Sequence, residues 1–153
     1  MTLDEFVDDW LDRSPIRPPA EPYEKVAENI GVTLYRDDEF QVQLWACAPN
    51  TEICDHTHPD VDGMAVRVAG DIRFRKHGKP VSHRDMKIMT WRGMRTPAVH
   101  LGPNDSHGVS IGPSGGSFLA ITRWLNGGPQ SVHLNWQGDP LDETHAKELE
   151  RVV

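Results

Sequence analysis

Ten consecutive residues, Cys54-Asp55-His56-Thr57-His58-Pro59-Asp60-Val61-Asp62-Gly63, carry two histidines and three aspartates. Side chains alternate along an extended chain, so the His56 and His58 imidazoles project to the same side. Two such groups can hold one metal ion, and a nearby carboxylate can add a third ligand. The same composition also suits a polar surface loop with incidental histidines, and this stretch alone leaves both readings open.

The elements around this stretch alternate with a period of two. Val32 and Leu34 alternate with polar residues, and Phe40, Val42 and Leu44 alternate with Gln41 and Gln43 up to a turn at Pro49-Asn50. Beyond the His-rich stretch, Met64, Val66 and Val68 alternate with Ala65, Arg67 and Ala69. A tight reversal is expected at Ala69-Gly70, with Ile72 and Phe74 on the returning strand and a turn at His77-Gly78-Lys79-Pro80. Shorter strands are expected around Val81 and over 86–91, a turn over 100–105, a strand over 106–111 and a turn over 112–116. The run 117–125 reads as a strand buried on both faces, and Val132, Leu134 and Trp136 as one more short strand. Eight or nine short strands bounded by Gly or Pro mean a sandwich or barrel.

Helices are expected only at the ends. Leu3, Phe6, Val7, Trp10 and Leu11 line one face of a helix over 2–13, with Thr2 and Glu5 forming a capping box. Ser14-Pro15 stops it, and a proline-rich arm runs to Pro22. The helix must pack on its own domain or on a neighbouring subunit. A short helical turn is expected over 23–30, closed by Gly31, and a terminal helix over 142–153. The organisation is one domain: arm and helix over 1–22, barrel over 23–140, C-terminal helix over 141–153.

Composition narrows the partners. With 153 residues the chain is long enough for one domain with a real core. A net charge of -7 argues against a nucleic-acid backbone, which needs a basic face, and gives no support for an anionic membrane surface. No apolar run approaches the roughly 20 residues that span a bilayer, and the acidic Met1–Glu5 start does not read as a secretory signal. Cys47 and Cys54 are the only cysteines and are expected as buried thiols in a reducing cytoplasm.

On these residues the chain resembles a cupin, an all-β double-stranded β-helix or jelly-roll barrel. His56-Thr57-His58 matches the histidine pair of the family's first motif and Gly70 its hairpin glycine. Gly102-Pro103-Asn104-Asp105-Ser106-His107 stands where the second motif begins its strand with a histidine, about fifty residues downstream. The resemblance covers roughly 32–136. It implies a metal site of His56, His58 and His107. The family's glutamate ligand is missing: the motif's two spacings lead to Gly63 or to Asp62. Asp62 shares strand parity with Met64, Val66 and Val68, so it points to the metal if that apolar face lines the barrel. His107 shares parity with Val109 and Ile111. The expected set is therefore His56, His58 and His107 with Asp62 as a fourth ligand; the alternative is a three-His site with Asp60 or Asp62 outside the ligand set.

Imidazole with or without carboxylate suits Fe(II), Mn, Ni, Co or Zn, and partial coordination leaves positions open for substrate. The missing glutamate resembles the three-His iron cupins that cleave carbon–carbon bonds or oxidise thiols with dioxygen. This makes a mononuclear Fe(II) dioxygenase acting on a small molecule the leading expectation. The alternatives are a redox-neutral metal-dependent isomerase or lyase, with Asp60, Asp62 or His100 as base, and a non-catalytic binding cupin. Arg67 would recognise an anionic substrate if the opposite parity lined the pocket. Arg73, Arg75 and Arg123 are expected on the outer sheet face, and His77, His83, His133 and His145 on the surface. As in many single-domain cupins, a homodimer is expected.

Overall fold

The computed structural model describes residues 1–127 and the backbone of 134–135. One helix, α1 (Leu3–Arg13), precedes the strands β1 (Tyr23–Val26), β2 (Asn29–Arg36), β3 (Phe40–Cys47), β4 (Glu52–Thr57), β5 (Val61–Lys76), β6 (Lys79–Pro80), β7 (Lys87–Trp91), β8 (Met94–Leu101), β9 (His107–Trp124) and β10 (Leu134–Asn135). The expected C-terminal helix, Trp136, His133 and His145 lie outside the described residues. Among the described residues no helix is long and apolar enough to cross a membrane.

All pairings between these strands are antiparallel, and the main path runs β1-β2-β3-β9-β5-β8-β7. The long strands β5 and β9 pair along nearly their whole length, from Val61↔Trp124 to Lys76↔His107. The first half of β5 and the second half of β9 belong to the large sheet with β3 and β8. Their other halves form a smaller sheet with β4, β6 and β10. The fold is a double-stranded β-helix.

The corner between the sheets corrects two expectations. Ala69-Gly70 is not a reversal and 112–116 is not a turn: β5 and β9 run straight through both. The register shifts on either side of Gly70 mark a bulge, which bends the strand pair without ending it. Gly70 and Gly115 both have positive φ, and a Cβ at Gly70 would overlap the Gly115 carbonyl and the Gly116 Cα. Only glycine allows the two backbones to pass that closely.

The segment 23–30 is also not helical. It forms the β1–β2 hairpin, with Ala27 at φ 53° in the turn. Gly31 is no helix stop. The Trp45 indole lies on it, and a Cβ there would come within 2.7 Å of the ring.

α1 forms as its pattern predicts. Thr2 accepts from the Glu5 amide (3.1 Å), Glu5 reaches back to the Thr2 amide, and Ser14 closes the helix in the left-handed region. Its apolar stripe packs on the outer face of the chain's own large sheet. Leu3, Phe6, Val7, Trp10 and Leu11 are buried with Phe40, Val42, Met64, Val66, Leu119 and Ile121. Phe6 stacks on Phe40 with ring centroids 4.1 Å apart. Of the two placements expected for the helix, it takes the one on its own domain. A second cluster, Cys47, Ala65, Ile72, Phe74, Val99, Val109, Ile111 and Phe118, fills the barrel interior.

Trp10 is 1% exposed and bridges α1 to the arm through Nε1, which donates to the Pro15 carbonyl. Trp10→Ala is expected to destabilise the fold by about 3–5 kcal/mol, measured by urea unfolding. The cysteines differ from expectation: Cys47 is buried, Cys54 is exposed, and both are free thiols. Burial pushes the Cys47 thiol from an ordinary value of 9.0 up to about 11. The unfolded chain thus loses this proton first, so stability is retained below about pH 9 and lost as pH rises through about 11. A thiol reagent at pH 8 should titrate Cys54 alone until denaturant is added, and Cys47→Ala should flatten the alkaline loss of stability.

Candidate metal centre

His56 lies near the end of β4, and His107 is the first residue of β9, directly opposite it in the ladder. His58 follows β4 in the turn closed by the Val61 amide on the His58 carbonyl (3.2 Å). The three rings converge, with centroids 4.6 Å apart for His56–His58, 4.5 Å for His56–His107 and 5.4 Å for His58–His107. One nitrogen from each lies within 4.8 Å of the others.

Two of the rings have their tautomer set by the backbone. His56 Nδ1 lies 2.7 Å from the Cys54 carbonyl and His107 Nδ1 lies 2.9 Å from the Asp105 carbonyl. A carbonyl can only accept, so Nδ1 carries the proton and Nε2 the lone pair in the neutral ring. This is the arrangement of a metal-ligating histidine held by an outer partner. A metal ion holds imidazole nitrogens at about 2 Å, so three donors grouped this closely suit a single ion with small rotations of the rings. The donor set fits a divalent transition metal.

The segments that carry these carbonyls are held in turn. Arg75 spans the smaller sheet, contacting the Asp55 carboxylate (3.2 Å), the Ile53 carbonyl (2.9 Å) and the Ser110 hydroxyl. It thereby ties β4 to β9 from the outer face, where it was expected, but half-buried among partners. Asp105 closes the turn before His107: its carboxylate accepts from the Gly102 amide (2.7 Å) and meets Lys76 (3.3 Å) and His77 (2.8 Å). Burial opposes ionisation of Asp105, but those three donors outweigh it and hold its carboxyl below the usual range. The sequence reading missed Asp105 and placed His77 as an unengaged surface residue.

The three aspartates of the His-rich stretch all lie outside the cluster. Asp55 pairs with Arg75. Asp60 is 5% exposed and does not line the cavity described below. Asp62 faces outward with Met64 and Val66, and its carboxylate lies 2.6 Å from Nε2 of His100. The two border a separate shallow cleft beside Thr2, Asp4, Lys87 and Arg123. Asp62 is thus not placed as a fourth ligand, and neither Asp62 nor His100 is placed as a catalytic group beside the metal cluster. The parity was read correctly, but the wrong face was assigned to the interior. The apolar face of β5 is covered by α1, and the residues of opposite parity, Gly63 and Ala65, line the cavity.

That cavity has a volume of about 390 Å³ and runs from the three histidines across the inner face of the large sheet. Trp45, Val109, Phe118, Ala120 and Trp124 wall it, and Arg36, Gln41 and Gln43 reach it from β2 and β3. Gln41 and Gln43, which alternate with the apolar residues of β3, point inward. Arg67 does not line it; its guanidinium caps the Gly70 carbonyl at the corner.

No family model and no curated protein sequence matches the chain. Solved structures do. The polyketide cyclase RemF from Streptomyces resistomycificus aligns over 91% of this chain and 92% of its own, at 16% identity and a TM-score of 0.55. A predicted oxalate decarboxylase from Thermotoga maritima aligns over 72% and 98%, at 15% identity and 0.54. An RmlC-like cupin from Shewanella frigidimarina aligns over 74% and 88%, at 14% identity and 0.51. The chain has the cupin fold. Within that fold it presents a possible three-histidine metal site at one end of a largely apolar cavity.

Protein reconstituted with Zn or Fe(II) should bind one metal per chain. His56→Ala, His58→Ala and His107→Ala should each cost more than the roughly 10- to 100-fold in affinity that follows loss of an outer partner. Asp105→Ala should fall within that range, and Asp62→Ala should bind like the parent protein. Metal analysis and calorimetric titration read all five.

Proposed function

We propose that the protein is a mononuclear metal-dependent enzyme acting on a small, largely apolar molecule inside the barrel. The observation that carries this reading is the convergence of three imidazoles, with no carboxylate in the group among the described residues, at one end of a largely apolar cavity. When bound there, a divalent metal supplies Lewis acidity and, as Fe(II), reactivity toward dioxygen. The chain's own residues supply the rest. The ladder pairing of His56 with His107 and the backbone carbonyls fix the donors. The walls of Trp45, Phe118 and Trp124 exclude water and give a flat molecule aromatic surface to pack on.

Between the two enzymatic readings, the lining of the cavity favours the iron dioxygenase. A redox-neutral isomerase or lyase needs a positioned base beside its substrate. Glu24 is the only carboxylate lining the cavity among the described residues; it is exposed on β1 and accepts from Gln43 (3.0 Å). Of the three bases expected from sequence, Asp62 and His100 are on the other side of the sheet and Asp60 does not line the cavity. An oxygen-dependent reaction, in which the metal and substrate carry the chemistry, makes a smaller demand on the walls. The similarity to a polyketide cyclase supports the shared fold and leaves the reaction open.

The test is oxygen consumption by Fe(II)-loaded protein with thiols and enolisable carbonyl compounds. Uptake that requires both iron and substrate, and that His58→Ala abolishes, is the expected result. Turnover under argon with Zn or Mn would move the assignment to the redox-neutral class. Ligand retention without turnover under either condition would leave a binding protein.

A further inference from the structure

The geometry points to a carboxylate-binding subsite on the inner face of the large sheet, built by Arg36 on its Gln41 and Trp124 supports and opened by Gly63. It defines the substrate class as a monoanionic carboxylic acid with an apolar body. This rests on the reading of the barrel cavity as the substrate site.

The ladder places these residues in one transverse row. Arg36 of β2 is opposite Gln41 of β3; Gln41 is opposite Thr122 of β9; Thr122 is opposite Gly63 of β5; and Gly63 is opposite Leu101 of β8. All five line the cavity. Among the described residues, Arg36 is the only Lys or Arg to do so, and none of their carboxylates lies within ion-pair distance of it.

The guanidinium is nevertheless held. Its Nε donates to the Gln41 side-chain oxygen at 2.7 Å, and its centre lies 5.8 Å from the centroid of the Trp124 ring. One nitrogen and one face are thereby fixed, and the two terminal nitrogens make no hydrogen bond to a described residue. A guanidinium presented edge-on in this way matches the two oxygens of a carboxylate.

Thr122, two strands from Arg36 in the row, turns its methyl group toward Gly63. Gly63 keeps the adjacent floor open. A Cβ there would meet only ordinary contacts, the nearest being the Leu101 carbonyl at 3.5 Å, so its absence is not demanded by the backbone. One arginine, with no second cation in the cavity, suits a single negative charge and not a phosphate dianion.

The test uses benzoate and its neutral counterpart benzamide, titrated into metal-free protein and followed by the fluorescence of Trp45 and Trp124 and by the unfolding temperature. Benzoate should bind more tightly than benzamide. Arg36→Gln should weaken benzoate about 10- to 100-fold and leave benzamide unchanged, with Arg36→Lys in between. Gly63→Ala should fold like the parent and weaken both ligands. Equal binding of acid and amide, or benzoate binding that survives Arg36→Gln, would overturn the subsite. Because the metal is absent, these outcomes are independent of whether the histidines bind one. Failure of the metal-site reading shows instead in the metal titrations.

Discussion

The docking of α1 on the outer face of the large sheet governs the rest of the molecule. An 11-residue helix is too short to persist alone in water, and its stability comes from burying Leu3, Phe6, Val7, Trp10 and Leu11. At about 1.5–3 kcal/mol per buried side chain, this contact is worth on the order of 10 kcal/mol as an upper estimate. It requires the sheet to be apolar outside, at Phe40, Val42, Met64, Val66, Leu119 and Ile121. With its main apolar contact on that side, the sheet does not need a solid core on its inner face. Glutamines, an arginine, a glycine and a threonine occupy that face, and a cavity remains.

The second constraint is the corner at Gly70, Gly115 and Gly116. Because β5 and β9 cross it without ending, the residue that begins β9 is carried to the far end of β5, where Lys76 pairs with His107. There β4 joins β9 and sets His56 against His107. Three ligands from two distant segments meet because two glycines let two backbones pass. A side chain at Gly70 would separate the sheets, and the histidines lie at the end of the lever.

Much of this was legible in the residues. The capping box and the apolar stripe specify α1, and the His-x-His pair announces the site. The position of His107 after a Gly-Pro turn anticipates a partner for that pair. What was not legible shares a physical origin. Alternation reports which residues share a face and is silent on which face is inside. Asp62, Gln41, Gln43 and Arg36 all depend on that second choice, which is made by a helix more than twenty residues away in the chain. The glycines at 70 and 112–116 were ambiguous for a different reason: a reversal and a corner both need positive φ, and only pairing partners distinguish them. The segment 23–30 is too short for local preference to outweigh the ladder offered by β2.

The exclusion of Asp62 changes the electrostatics of the site. A carboxylate ligand would cancel part of a divalent ion's charge; three neutral imidazoles cancel none. An ion on His56, His58 and His107 would keep its full double charge against apolar walls, where the low dielectric strengthens every interaction with it. Such a centre favours an anionic oxygen donor, and Arg36 across the cavity favours one too. A ligand with two oxygen functions separated by an apolar body would satisfy both ends, and a neutral hydrocarbon would satisfy neither. The bare Gly63 floor adds direction to that preference. On this reading, a metal ligand group of histidines alone and a cavity arginine with no acidic partner among the described residues are two sides of one arrangement, in which the substrate brings the negative charge that the protein withholds.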